Sequence, residues 1–397
     1  MFRLKHHGIL WACRQAQSHR AFAIRFVSTK PYDPLRILFC GSDEFSIASL
    51  KALHKEHLLN PDRIASIDVV CRPGKKVGRG LKVVREVPIK AAASKLSLPI
   101  HEIDTFKGWT PPLPSGEPIN LVVAVSFGLF VPRRILTSAK YGGLNVHPSM
   151  LPFYHGPAPL HHVLMDGRTT TGVTLQTMHH QHFDRGVVLQ QTSPPGLEIP
   201  DPDSCTISQL LDVVTPKGAD VLLDGVRQGL FVPPLENRGF SDLPLNEAPH
   251  AAKITPEDRH ISWSEWSWQI INRRNRVIGP LWGKAYLPDN RPGSTSGSRK
   301  RLIFAEMEEV QPLEGCTEFA SSPGWPFVAS SLQTEGKREE KLYVWTSDKK
   351  LIHLRRMIVE GAPNTNAARA ARKAGLLGDK VVRTDDFEFR GFHDTLL

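Results

Sequence analysis

Apolar residues in this chain fall into short continuous runs, separated by stretches in which they recur every three or four positions. Leu35-Arg36-Ile37-Leu38-Phe39-Cys40-Gly41 is a run ending on glycine, and it predicts a buried strand followed by a turn. From about Glu44 to Lys55 the apolar positions Phe45, Ile47, Leu50 and Leu53 take helical spacing. Ile67 to Cys71 predicts a second strand, Arg72 to Lys82 a Gly- and Lys-rich loop, Val87 to Leu96 a helix, and Pro99 to Ile103 a third strand. Ile119 to Val125 is nearly unbroken in its hydrophobicity, as in a strand covered on both faces. Strands alternating with helices predict an α/β fold built on a parallel, doubly wound sheet. In such sheets the active site lies beyond the carboxyl ends of the strands, which directs attention to the residues after Val125 and around Asn145.

Further along, Thr171 to Met178 and Val187 to Gln191 predict strands, and Cys205 to Val226 has helical periodicity. From Gly229 the chain is rich in Pro, Asn and Leu without a period, and residues 229–252 read as a linker. After Lys253 the pattern changes to short β-like runs, among them Arg301 to Phe304, Leu342 to Trp345 and Leu351 to Leu354, broken by Gly, Ser and Pro. A small β-barrel over 253–397 is expected, with a loop at Asn290 to Ser298. The first α/β unit then covers 34–228.

Composition changes this picture at one end. Arg3, Lys5, Arg14, Arg20, Arg25 and Lys30 interleave with Phe2, Leu4, Ile9, Leu10, Trp11, Phe22, Ile24 and Phe26, and the first acidic residue is Asp33. A basic, acid-free amphipathic start reads as an organelle transit peptide over residues 1–30, with Arg25-Phe26-Val27-Ser28 as a processing site. A plain basic tail is the other reading. The net charge of +10 suits a polyanionic partner, although organelle proteins are often basic for other reasons. Cys13, Cys40, Cys71, Cys205 and Cys316 are scattered and never spaced C-x-x-C, which argues against a disulfide framework and against a zinc site. No apolar run has the roughly 18–20 residues of a membrane helix.

The chemistry concentrates in Gly143-Leu144-Asn145-Val146-His147-Pro148-Ser149-Met150-Leu151-Pro152. Asn145 and His147 are two apart, so on an extended segment both side chains point to one side. The amide can donate to an oxygen that becomes anionic, and the imidazole can carry or relay a proton. Asp184, in a turn between two strand-like runs, is a candidate carboxylate to tune the histidine. Spacing alone leaves a structural role open, because an Asn-x-His pair also arises by chance and a lone histidine often only satisfies a local hydrogen bond.

Taken in order, Asn145-Val146-His147-Pro148-Ser149-Met150-Leu151-Pro152, Gly156-Pro157-Ala158-Pro159, Thr171-Gly172-Val173-Thr174 and Asp184-Arg185-Gly186 resemble the folate-dependent formyltransferase family, clearly from about Leu35 to Gly186. The resemblance implies a Rossmann-like N-terminal formyltransferase domain. It implies 10-formyltetrahydrofolate as formyl donor, no metal, and Asn145, His147 and Asp184 as the catalytic polar groups. Ser149, Met150, Leu151 and Pro152 match the segment that binds the folate, and Ser126-Phe127-Gly128 stands near the pterin, where relatives carry a tyrosine-containing loop. Phe153 and His155 stand where bacterial members usually carry basic residues.

Within the family the chain is most similar to the branch that formylates initiator methionyl-tRNA. The loop Arg72 to Lys82 resembles the insertion with which that branch touches the acceptor stem; Arg79 matches its key arginine, with Lys75, Lys76 and Lys82 beside it. Ala252 to Asp258 with Ile261-Ser262-Trp263 resembles the start of that branch's C-terminal domain, an OB-like barrel that binds tRNA. The resemblance further implies a monomer in the mitochondrial matrix. Arg273, Arg274 and Arg276, on a predicted helix, and Arg355 and Arg356 read as further phosphate contacts or as a solvated face. His179, His180 and His182 lack a Cys or carboxylate at ligand spacing. Two other readings stand beside this one: a sister enzyme formylating a small amine such as a glycinamide nucleotide or an amino sugar, and a non-catalytic RNA-binding relative.

Overall fold

A computed structural model describes residues 30–289, 297–331 and 339–396. The expected transit peptide lies outside the described residues except for Lys30, as does most of the expected loop at Asn290 to Ser298.

The first half is a seven-stranded sheet. Its elements in chain order are β1 (Leu35–Gly41), α1 (Glu44–Leu59), β2 (Ile64–Cys71), the hairpin strands β3 (Lys75–Val77) and β4 (Val83–Arg85), α2 (Pro88–Lys95), β5 (Ile100–Glu102), β6 (Leu121–Val125), α3 (Arg133–Ser138), β7 (Gly143–His147), α4 (Pro159–Met165), β8 (Thr170–Thr171), β9 (Thr174–Thr177), β10 (Val188–Gln191), β11 (Leu197–Glu198) and α5 (Ile207–Gln228). The sheet order is β10-β9-β7-β6-β1-β2-β5. The strands from β5 to β7 are parallel. They are covered on both faces, which accounts for their unbroken apolar runs.

One face packs on α1 and α5. Asp43 caps α1 by accepting from the Ser46 amide, and Thr206 and Gln209 form a reciprocal capping box on α5. The two helices approach closely at Gly218, where a Cβ would lie 2.7 Å from the Phe45 ring. Leu38, Cys40, Val70, Val122 and Ala124 face the other layer, with Phe106, Phe127 and Ile135.

The sheet is parallel only in part. The run Thr171 to Met178, expected as one strand, breaks at Gly172-Val173 into β8 and β9. β9 runs antiparallel to both β7 and β10. The connection from β9 to β10 is too short for a crossover helix, so the chain can only turn back on itself.

The second half holds α6 (Trp268–Ile278), β12 (Leu281–Pro288), β13 (Gly297–Val310), β14 (Phe327–Ser331), β15 (Glu340–Trp345), β16 (Leu351–Val359), β17 (Thr365–Asn366), α7 (Ala367–Lys373), β18 (Leu377–Arg383) and β19 (Phe387–Phe392). Seven of these strands form a curled antiparallel sheet in the order β12-β13-β16-β15-β14-β19-β18, and β17 pairs with β16. This is the barrel-like architecture that the short β runs announced. Buried Ala367, Ala368, Ala370 and Ala371 let α7 lie close on the sheet.

Residues 229–252 contain no helix or strand, yet they are tied to the first half. Leu230 and Phe231 are buried, the Tyr154 amide donates to the Pro249 carbonyl at 2.7 Å, and the Ala251 amide to the His155 carbonyl at 2.7 Å.

The arginines of α6 overturn one expectation. Arg276 donates to the Cys205 carbonyl at 2.9 Å, and the Arg273 guanidinium sits where a Cβ on Gly167 would be, 2.6 Å away. Arg274 stacks 4.5 Å over Trp266 and donates to the Asp258 carbonyl. Arg273 and Arg276 thus reach across to the first half, while Arg274 is held within the second. Arg355 and Arg356 lie beside Glu308 and Glu306, so their charge is largely balanced. Among the described residues no helix is long and apolar enough to cross a membrane.

Candidate active site

β6 and β7 are neighbours, and their carboxyl ends release the two segments singled out in the sequence. Asn145 and His147 project from one face of β7, as their spacing requires. The Asn145 Nδ2 donates to the Ala124 carbonyl of β6 at 3.0 Å, and its Oδ1 accepts from Gln176 Nε2 at 3.1 Å. His147 is buried, with Nδ1 3.4 Å from Asp184 Oδ1 and Nε2 3.1 Å from the Tyr154 carbonyl. Both partners are acceptors, and the tautomer of the ring decides which of them receives its N–H.

Asp184 has a positive φ of 54°, the left-handed conformation that short polar side chains tolerate. Its Oδ2 accepts from the Gly156 amide at 2.8 Å and its Oδ1 from Gln176 Nε2 at 3.0 Å. Gly186 has no room for a side chain: a Cβ there would stand 1.6 Å from the Thr177 carbonyl oxygen. This contact folds the turn back and places Asp184 against β7. The three expected catalytic residues therefore converge from two separate stretches of chain.

The segment Ser149 to Pro152 follows directly and is held as a shelf. The Thr174 hydroxyl donates to the Ser149 carbonyl at 2.7 Å and accepts from the Leu151 amide at 3.1 Å. Gln191 Nε2 donates to the Leu151 carbonyl at 2.7 Å. Ser149 and Leu151 are buried; Met150 and Pro152 are half-buried. Ser126 (φ 48°) and Gly128 (φ 74°) bend the chain as it leaves β6, while Phe127 turns inward onto Phe106. Beside them is a cavity of about 260 Å³ lined by Phe106, Lys107, Leu129, Phe130 and Arg134 among others. Phe130 meets the Phe183 ring edge-on at 5.2 Å, so the loop after β6 touches the turn that carries Asp184.

Next to the dyad, burial lowers the pKa of His155, against the pull of its bond to the Pro152 carbonyl, and so favours the neutral ring. Burial raises that of Tyr154, whose hydroxyl donates to Asp166 and accepts from Arg168.

The hairpin β3–β4 leaves the carboxyl end of β2, the same edge of the sheet, two strands away from β6. Lys75, Lys76 and Lys82 are exposed on it. The backbone at Arg79 opens a short turn between Gly78 (φ 80°) and Gly80 (φ 77°). The hairpin does not join the catalytic cluster. His179, His180 and His182 stack on one another, with centroids 4.7 and 5.5 Å from His179, and His179 Nδ1 accepts two backbone amides. Among the described residues no three His, Cys, Asp or Glu side chains gather as a metal would require.

Gln176 was not foreseen. It is 1% exposed and bonds Asn145 and Asp184 together. The one available signal was a glutamine in the middle of an apolar strand run.

The model of the formyl transferase family matches residues 35–209. The mitochondrial methionyl-tRNA formyltransferase of Saccharomyces cerevisiae is 30% identical over 91% of this chain and 96% of its own length. Methionyl-tRNA formyltransferase from Staphylococcus aureus is 31% identical over 87% of this chain and 99% of its own. The human mitochondrial methionyl-tRNA formyltransferase is 33% identical over 64% of this chain and 59% of its own. Similarity at this level over both halves goes beyond the shared catalytic domain: the chain belongs to the methionyl-tRNA formyltransferase family.

Proposed function

We propose that this protein transfers the formyl group of 10-formyltetrahydrofolate to the amino group of initiator methionyl-tRNA, as a monomer in the mitochondrial matrix. The observation that carries this reading is the convergence of Asn145, His147 and Asp184 at the carboxyl end of β7, in a chain 30% identical to a mitochondrial methionyl-tRNA formyltransferase over 91% of its length.

In the reaction the methionyl nitrogen bonds to the formyl carbon, and the bond from that carbon to N10 of the folate breaks. One hydrogen of the Asn145 amide is engaged by Ala124, which leaves the second to donate to the formyl oxygen as it becomes anionic. Asp184 orients His147, and the pair carries the proton from the attacking nitrogen towards the departing one. The shelf from Ser149 to Pro152 and the bend at Ser126 to Gly128 are suited to hold the folate. The hairpin with Arg79, Lys75, Lys76 and Lys82 supplies charge for the acceptor stem. Domain roles follow: catalysis in 34–228, joined through 229–252 to tRNA binding in 253–397.

The test is incubation of purified protein with labelled 10-formyltetrahydrofolate and charged initiator tRNA. Labelled formylmethionyl-tRNA is expected, with no transfer to glycinamide ribonucleotide or amino sugars; the reverse preference would overturn the assignment. A fluorescent fusion of the full chain is expected in mitochondria, and one lacking residues 2–28 in the cytosol.

A further inference from the structure

The donor and acceptor pattern around β9 leaves a single self-consistent arrangement. The Gly186 amide donates to Gln176 Oε1 at 3.3 Å, so the Gln176 NH2 must point the other way. There it meets two acceptors, Asn145 Oδ1 at 3.1 Å and Asp184 Oδ1 at 3.0 Å, and spends one hydrogen on each. The Ala124 carbonyl on the far side of Asn145 can only accept, so it needs Nδ2. The Asn145 amide is thus gripped at both ends, and its remaining N–H has one direction left. Register makes this possible, since Asn145 and Gln176 are direct partners across β7 and β9.

We infer that Gln176 is a positioning residue for formyl transfer: it sets which end of the Asn145 amide meets the reacting oxygen, and it anchors Asp184 against His147. The inference rests on the transfer reading and adds a residue to its machinery. Asp184 is the charged group bonded to the Gln176 amide; His147 faces the same carboxylate, His155 lies beyond, and Val188, the partner of Gln176 on β10, is apolar. A group of the same shape that could not donate would confront two acceptors with a third. The Asn145 amide would then turn over, or one carboxyl would take up a proton.

Gln176→Glu makes that change, and Gln176→Met removes the donor without adding charge. For Gln176→Glu, kcat should fall on the order of 10²-fold at pH 8, the scale of a lost oxyanion donor. KM for both substrates should stay within about twofold, since binding contacts lie elsewhere. kcat should recover in part as pH falls, because a protonated carboxyl donates again, to one of the two acceptors. Gln176→Met should lose kcat with the parent's pH profile.

An unchanged kcat in both variants overturns the inference. So does a loss in Gln176→Glu that follows its melting temperature while the pH profile stays that of the parent, for then the residue only satisfies a buried site. An NMR titration of the His147 ring separates the two readings. A parent with no transferase activity counts against the function, whereas the ring's titration still judges Gln176. It should shift in Gln176→Glu, and an unmoved titration overturns the anchoring of Asp184.

Discussion

The end of β7 and the β3–β4 hairpin leave the same edge of one sheet, yet they are built in opposite ways. At β7 the polar side chains are wholly or partly buried and joined in series: Asn145 bonds the Ala124 carbonyl and Gln176, Gln176 bonds Asp184, and Asp184 lies 3.4 Å from His147. On the hairpin Lys75, Lys76 and Lys82 are exposed and have no ion-pair partner among the described residues, and Leu81 and Val83 are 60% and 61% exposed. In the buried chain each group holds its neighbour, so one change disturbs several and the effects do not add. On the hairpin the charges act separately, through a field that salt screens. In the proposed function the first region supplies fixed geometry for the transfer, and the second attraction for a polyanion.

The largest effect should come from the buried side. His147→Ala should lower kcat on the order of 10²–10³-fold with the fold retained, measured as single-turnover formyl transfer. Near-normal turnover would remove His147 from the mechanism.

Next is Gly186→Ala. The added Cβ collides with the Thr177 carbonyl, so the turn carrying Asp184 must move. A loss of about 3 kcal/mol in unfolding free energy is expected, together with reduced kcat. Denaturant titration checks the first, and full stability would show that the turn adapts freely.

Arg276→Ala tests whether a cation of the second half belongs to the interface or to RNA. It leaves the Cys205 carbonyl without its donor, at a cost of about 1–3 kcal/mol. The salt slope of tRNA binding should not change; a shallower slope would return this residue to the RNA surface.

Arg79→Ala is expected to lower kcat/KM for methionyl-tRNA on the order of tenfold and to make the salt slope shallower by up to about one unit. Folate affinity should hold. Equal losses of folate and tRNA binding would mean that the hairpin is structural. Smallest of all, Lys82→Ala should change kcat/KM by about twofold, as befits one exposed charge among several.

The same contrast governs what could be read in advance. Strands β1, β2 and β6 were legible because burial on both faces leaves a continuous apolar run, and α1 because its buried positions recur at helical spacing. Asn145 and His147 were legible as a pair because a strand places residues two apart on one side. α3, α4 and α7 were not: each is six or seven residues long, and α7 buries alanines that carry little hydrophobic signal. Arg273 and Arg276 were misread because an arginine is ordinarily a surface residue, and only the second half packed against Cys205 and Gly167 shows the partners that let it be covered.

By itself, then, the amino-acid sequence determined the alternation of buried strands and helices, the change to short β runs after Lys253, the basic loop from Arg72 to Lys82, and the ordered motif that links Asn145 and His147 to Asp184. These are properties of neighbours along the chain, where burial imposes a period and backbone geometry imposes a side. Tertiary structure alone decided that β9 runs antiparallel to β7, that Arg273 and Arg276 of α6 pack on the first half, and that Gln176 stands between Asn145 and Asp184. Each of those depends on which residues meet across strands or between halves. That meeting is set by register and loop closure summed over the whole fold, and no local pattern of polar and apolar residues records it.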